Sequence, residues 1–367
     1  MFKDRDSTLY KSFLPSLIAI VIGMIISIIV MFVANPENAF RAVIQLFKGP
    51  FNTPGMKGLG NLLYYMIPLM MTGLSVGFAF KTGLFNIGAS GQFIVGAFVS
   101  ILIGAKFTAV PESVRWIFAL LGATLIGGIW GSIVGILKAY RNVNEVITSI
   151  MLNYIGMYLV NYLIPVLGIY NRLKNNTINI STHVPKFGLD KLFPGSFASG
   201  GIFIAVIIAI ILYFVIDKTT FGYELKAVGL NRFASRYAGI NENRSIVFSM
   251  MIAGALSGLA GGLVYLSGIG RHISIVEVLP QEGFDGIAVS LLGANHPLGI
   301  ILSSLFMAYI NMGGQSIQTL GYSPELIQMM TAIILYISAL SLLFKQLLGR
   351  KSKSTPIGST NDSLKEE

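Results

Sequence analysis

Phe13-Leu-Pro-Ser-Leu-Ile-Ala-Ile-Val-Ile-Gly-Met-Ile-Ile-Ser-Ile-Ile-Val-Met-Phe-Val33 runs for twenty-one residues without an ionisable side chain. As a helix, at about 1.5 Å per residue, such a run crosses a hydrocarbon core of about 30 Å. Further apolar stretches follow at Leu59–Phe80, Gly88–Ala105, Trp116–Leu137, Val146–Leu167, Gly201–Ile216 and Ile246–Gly268. A weaker one lies at Ile275–Gly293, and Leu298–Met312 and Glu325–Phe344 complete the set. The runs do not alternate apolar and polar as barrel strands would, and only helices satisfy their own backbone hydrogen bonds without water. The sequence therefore predicts an all-α integral membrane protein of about ten transmembrane helices, some short or broken.

Composition agrees. Of 367 residues 54% are hydrophobic and only 11% charged, against about 25% charged in a soluble domain. The absence of cysteine excludes disulfides, thiolate metal sites and a lipid-modified cysteine. Lys3, Arg5 and Lys11 precede an apolar run longer than a signal-peptide core, so the run reads as a retained first helix. The net charge of +10 would suggest a nucleic-acid partner in a soluble protein. Here it fits basic loops at a cytoplasmic surface of the lipid bilayer, and no nucleic acid is expected.

Loop charge sets the expected topology. Basic clusters lie at the N-terminus, after the fourth run (Lys138, Arg141), after the sixth (Lys218, Lys226, Arg232, Arg236, Arg244) and in the tail (Lys345, Arg350, Lys351, Lys353). They share one side only if Ile275–Gly293 crosses. This gives a cytoplasmic segment over 1–12, a transmembrane domain over 13–345 and a disordered cytoplasmic tail over 346–367. Within the domain, 168–200 is extracellular and 217–244 cytoplasmic. The extracellular loop reads equally as a docking surface or a polar connector.

No G-x-x-x-x-G-K-[ST] loop occurs, so the chain cannot hydrolyse ATP by that route. No H-E-x-x-H helix or G-x-S-x-G elbow occurs, and His183, His272 and His296 are too scattered to suggest a metal site. Polar groups at membrane depth remain. Glu145, Thr148, Ser149 and Asn153 form a helical stripe, and Asn86, Ser90 and Gln92 punctuate a glycine-rich stretch. Gln281, Glu282 and Asp285 stand among Gly283, Gly286 and Gly293, beside Phe284. Carboxylates at that depth do not face lipid cheaply, and transporters line substrate cavities with short, glycine-interrupted helices. Each stripe also admits a structural reading as inter-helix hydrogen bonding. Few charges with aromatics such as Tyr64, Tyr154 and Phe284 suit a neutral, partly flat solute better than an ion. Gly127, Gly131, Gly135 and Gly254, Gly258, Gly262 recur every fourth residue. They mark either a dimer or gate seam or, more simply, close packing within one subunit.

The basic loop at 217–244 reads as a short helix, a glycine break at Gly229, an N-cap at Asn231 and a second helix ending at Gly239. Leu230, Phe233, Tyr237 and Ile240 are expected to be exposed on it and to invite a cytosolic partner, the other reading being an amphipathic helix lying on the membrane surface. Phe221, Gly222, Ala227, Gly229, Asn231, Arg232, Arg236, Ala238 and Gly239 resemble the coupling-helix loop of ABC permeases in the branched-chain amino acid and simple sugar importer superfamily. Thr82–Gln92, Asn144–Tyr154 and Gly283–Gly299 are similar to the nucleoside importer permeases within it. The resemblance spans about Leu59 to Phe344. It implies a partner set: a cytosolic ATP-binding subunit, a second related permease subunit and an extracellular substrate-binding lipoprotein delivering a nucleoside. It also implies no cofactor on this chain, ATP being bound by the partner, and a multi-pass place in the bacterial cell membrane with both termini cytoplasmic. Asn86, Ser90, Gln92, Glu145, Thr148, Asn153, Glu282, Phe284 and Asp285 are the expected substrate path. Two other readings stay open: a pentose or other simple sugar as cargo, and an ion-coupled secondary transporter using Glu282 and Asp285.

Overall fold

In a computed structural model the protein is an almost purely helical bundle, and the structure describes residues 3–339. The end of the tenth expected span, the basic residues from Lys345 onward and the tail over 346–367 lie outside the described residues. Among the described residues seven helices are long and apolar enough to cross a membrane: α3 (Lys57–Lys81), α4 (Ala89–Lys106), α5 (Glu112–Arg141), α6 (Glu145–Val166), α8 (Gly201–Lys218), α11 (Glu242–Tyr265) and α13, which runs over Pro297–Ile317 and continues as a 3-10 turn to Leu320. Six of these match the expected runs to within about four residues, and α13 runs five residues past the expected end at Met312. α1 (Lys3–Ala34) and α14 (Pro324–Ala339) pack on one another at the flank. α1 reaches well back into the segment expected to precede the membrane.

The weak span is corrected. Ile275–Pro280 is not helical, and α12 covers only Gln281–Leu292, twelve residues or about 18 Å. The preceding backbone is held elsewhere. A short hairpin, β1 (Tyr170–Asn171) with β2 (Asn176–Thr177), captures it through Thr177 N–H to Ile273 O at 3.0 Å and Ile275 N–H to Asn175 O at 3.0 Å. Positive φ at Gly268 and Gly270 turns the chain back from α11 to make this pairing. The two ends of the segment still lie at opposite ends of the bundle. Ser274 bridges Asn176 at the hairpin end, and His296 stands 3.4 Å from Asp217 at the end of α8 that leads into the basic loop.

α3 is buried along nearly its whole length, and its Ile67, Met70, Met71 and Leu74 form the core with Phe93 and Ile101 of α4. α11 is pressed between α4 and α5. A β-carbon on Gly131 would lie 2.3 Å from Met250 O, and one on Gly254 would lie 2.3 Å from Gly127 O. The two glycine series therefore face one another inside one subunit, which decides for close packing over a seam between subunits. Outward faces of α5 and α8 are apolar, with Leu125, Ile129, Ile207 and Phe214 exposed.

Two short helices lay outside the sequence expectation. α2 (Ala39–Lys48) buries Ala39, Ala42 and Leu46 against the bundle and exposes Phe40 and Phe47. α7 (Leu189–Leu192) sits in the long loop at the hairpin end. That loop is packed rather than loose: Ile169, Val184, Leu189 and Ala198 enter the core, and Thr182 Oγ donates to Gly104 O at 3.1 Å. α9 (Thr220–Leu230) and α10 (Arg232–Tyr237) form the basic loop at the other end.

Candidate substrate cavity and coupling surface

α12 starts at Gln281 because Pro280 fixes the backbone before it and cannot donate to an earlier turn. Its glycines set its position. A β-carbon on Gly283 would come 2.3 Å from Ser90 Oγ, and one on Gly286 would come 2.4 Å from Thr72 Oγ1. This face lies directly on α3 and on the start of α4. Ser90 Oγ donates to Pro280 O and Thr72 Oγ1 to Glu282 O, both at 2.9 Å, pinning the entrance of the helix. Thr72 lies near the middle of α3, so α12 begins partway along the bundle, with Gln281 itself exposed.

The remaining polar side chains of this first turn, Gln281, Glu282 and Asp285, point into a cavity of about 720 Å³. Tyr64, Tyr65, Pro68 and Leu69 of α3 give it an apolar and aromatic wall. Amides at Asn311, Gln315 and Gln328 and the hydroxyl of Thr331 supply the opposite side from α13 and α14. Gln281 Nε2 donates to Asp285 Oδ1 at 3.2 Å. Glu282 forms an ion pair with Arg271, whose guanidinium lies 5.3 Å from the centre of the Tyr265 ring. The combination of concave shape, aromatic wall and a few convergent polar groups is that of a small-molecule site. Arg271 was missed at the level of sequence because it lies past the end of an apolar run. The glycines around it at 268 and 270, which fold the chain back over the bundle, were the available signal.

The other residues expected on the path are gathered elsewhere. After α3 the chain dips back inward. Asn86 Nδ2 donates to Ser75 Oγ at 3.0 Å and to Gln92 Oε1 at 2.9 Å, Gln92 Nε2 returns a bond to Asn86 Oδ1 at 3.1 Å, and Ser257 Oγ donates to Ser75 Oγ at 2.9 Å. Asn153 accepts from Gly91 N–H at 2.8 Å and donates to Ile87 O at 3.0 Å. Thr148 bonds Asn144 O, and Glu145 pairs with Lys138 at 2.8 Å. Asn86, Gln92, Asn153, Thr148 and Ser149 are buried; Asn86, Gln92 and Asn153, with Ser75 and Ser257, tie α3, α4, α6 and α11 together, whereas Thr148 bonds only within α6. Phe284 is half-buried, while Tyr154 is exposed on α6. None of these lines the cavity, whereas Glu282, Asp285 and Tyr64 do.

At the basic end, the break between α9 and α10 falls at Asn231, not at Gly229. Thr219 caps α9 through Gly222 N–H at 3.1 Å, and Asn231 Oδ1 caps α10 through Ala234 N–H at 3.0 Å. α9 runs through Gly229, where close packing demands glycine: a β-carbon would lie 2.4 Å from Lys81 O at the end of α3. Phe221 meets Phe248 edge-on, and Ala227 O accepts the Asn231 N–H. Arg232 is turned inward, to Glu242 at 3.3 Å and Asn243 at 3.0 Å. Leu230, Phe233 and Tyr237 are 89%, 75% and 95% exposed, and Arg236, Ala238 and Gly239 stand out with them. Ile240 is half-buried rather than exposed. Gly239 ends the element at φ +83°.

Seven crossing-length helices, a half-helix opening on a polar cavity and an exposed apolar loop at one end define a multi-pass membrane permease. The chain belongs to the family described as the permease component of branched-chain amino acid transport systems, which matches residues 58–339. It is 35% identical over 341 residues to the guanosine ABC transporter permease protein NupP of Bacillus subtilis, covering 93% of this chain and 97% of that one. The nucleoside ABC transporter permease protein NupB of Lactococcus lactis is also 35% identical, over 344 residues, 92% of this chain and 93% of NupB. The glucose ABC transporter permease protein TsgB13 of Haloferax volcanii is 31% identical over 302 residues, 79% of this chain and 78% of TsgB13.

Proposed function

We propose that the chain is the pore subunit of an ABC importer for nucleosides, moving its cargo by alternating access driven by ATP hydrolysis on a partner. The observation that carries this reading is the cavity at the start of α12. Its volume of about 720 Å³ holds a nucleoside. Its aromatic wall suits a base, and its amides and carboxylates suit a ribose. The relatives whose names specify guanosine and nucleosides, at 35% identity over nearly the whole chain, support the cargo.

The partners follow from what the chain lacks and exposes. Without a phosphate loop it takes its energy from a cytosolic ATP-binding subunit, and Leu230, Phe233, Arg236 and Tyr237 are the surface offered to it. α9 rests on the turn after α3, that turn leads into α4, and Ser90 of α4 holds the entrance of α12. A displacement of α9 thus has a packed route to the cavity. A second related permease subunit completes the pore, and a substrate-binding lipoprotein delivers nucleoside at the hairpin end.

The basic end faces the cytoplasm in this proposal, by the positive-inside rule. α1 ends beside Leu320 at the far end of α13, and α14 returns from there, so both run their outer ends toward the basic side. Counting α1, α12 and α14 with the seven long helices gives ten crossings of the cell membrane.

Uptake of labelled guanosine and uridine by cells with and without the gene tests the cargo. Uptake that depends on the gene and on its ATP-binding partner is expected, and unchanged uptake would sink the nucleoside reading. The TsgB13 relative supports a simple sugar as the second reading, in which unlabelled glucose or pentose, not nucleoside, competes for the labelled solute.

A further inference from the structure

Three charged groups line the cavity among the described residues: Arg271, Glu282 and Asp285. The single cation is already spoken for. Arg271 is ion-paired to Glu282 and lies over the Tyr265 ring, so its charge is met on two sides before any solute arrives. Asp285 has no cationic partner. Its contact is the neutral amide of Gln281, at 3.2 Å. The cavity therefore carries an excess of one negative charge, held between apolar walls at Tyr64, Pro68 and Leu69, where a field is screened less than in open water.

We propose that the cavity is a charge filter: it admits uncharged solutes and turns away anionic ones, phosphorylated nucleosides included, with Asp285 as the residue that sets its sign. This rests on the cavity being the solute path. A phosphate entering it would meet the unpaired carboxylate of Asp285 and an arginine that must first leave Glu282. A neutral solute with paired donors, such as a sugar diol or the amide edge of a purine, would find in the same carboxylate a ready acceptor. The Arg271–Glu282 pair then acts as a positioning pair that keeps the cation from becoming an anion site.

The absence of cysteine from the chain allows a direct measurement. Gln315→Cys places one thiol in the cavity wall of the assembled transporter. Its modification rates by an anionic methanethiosulfonate (the ethylsulfonate) and a cationic one (the ethyltrimethylammonium) are taken relative to their rates with 2-mercaptoethanol. The cationic reagent is expected to be favoured by about tenfold, the order of effect for one net charge in a partly screened cavity. Asp285→Asn should bring the ratio close to one, and Arg271→Gln should raise it further. General loosening of the cavity would move both variants the same way, so opposite movements separate charge from disorder. If Arg271→Gln fails to assemble, the near-isosteric Asp285→Asn decides alone. A ratio of one or below, a ratio unmoved by Asp285→Asn, or no labelling by either reagent overturns the filter. Because no cargo is used, the outcome is independent of the nucleoside uptake test: uptake can fail while the ratio holds, and the reverse.

Discussion

The carboxylate of Asp217, on the last turn of α8, stands 3.4 Å from Nε2 of His296, on the turn that joins α12 to α13. The same carboxylate holds Lys226 of α9 at 3.2 Å. One side chain thus links the basic loop to the far end of the half-helix whose near end opens on the cavity. Partly exposed pairs of this kind contribute about 0–1 kcal/mol each to stability. Asp217→Asn should therefore leave the melting temperature of the purified transporter almost unchanged. If the link transmits motion, uptake in proteoliposomes should fall several-fold while ATP hydrolysis by the partner continues. Parallel loss of both would show instead that the substitution prevents assembly.

Gly127 and Gly128 are adjacent in α5 but face different surroundings. A β-carbon on Gly127 would sit 2.5 Å from Gly254 O, whereas on Gly128 nothing comes closer than 3.4 Å. Gly127→Ala should push α5 off α11 and cost about 1–3 kcal/mol. Gly128→Ala should be within about 0.5 kcal/mol of neutral, or stabilise through helix propensity. Thermal melting of the two variants in detergent checks the difference.

Asn153 serves two backbone groups, Gly91 N–H and Ile87 O, on the inward dip before and at the start of α4. Asn153→Ala leaves both buried without that partner and should cost about 1–3 kcal/mol. Asn153→Gln, with the same groups on a longer stem, should recover only part of it. A lower melting midpoint for both, larger for alanine, is the expected pattern. Equal wild-type midpoints would mean that water replaces the amide.

Arg232 and Arg236 invite the same charge reversal from sequence, yet the structure separates them. Arg232 is spent on Glu242 and Asn243, while Arg236 is exposed beside Phe233 and Tyr237. Arg232→Glu should lower the melting temperature. Arg236→Glu should leave it alone and reduce co-purification of the ATP-binding subunit, as should Tyr237→Ser. Retained co-purification in both of the latter would move the contact off α10.

The long crossing helices were legible because length and apolarity are properties of a segment by itself. α12 was not. Ile275, Val276, Val278 and Leu279 are apolar enough to read as part of a span, but Ile273 pairs with Thr177 and Ile275 with Asn175, about a hundred residues earlier, and this segment stays out of the helix. Glu282 and Asp285 were readable as carboxylates among glycines. Asn86, Gln92 and Asn153 were readable as polar groups at depth, but whether such groups face a cavity or one another depends on neighbours that the local pattern does not contain. Arg271 reaches its place through a reversal at Gly268 and Gly270, which hydropathy does not register. The small-residue repeats were the reverse case, since spacing alone announced that two helices would touch and packing then showed which two.

The buried hydrogen bond from Ser257 to Ser75 joins residues 182 positions apart. At synthesis rates of about 5–20 residues per second, α3 must wait on the order of ten seconds or more for α11 to be made. Throughout that interval Ser75 lacks its acceptor at Ala253 O, and Thr72 has Pro68 O in its own helix but not Glu282 O, which arrives later still. The central helix of the finished bundle therefore enters the membrane before its long-range hydrogen bonds exist. Its early guardian has to be water, the insertion machinery or the nearby amides of Asn86 and Gln92, so a maturing chain is most exposed to quality control before its second half appears.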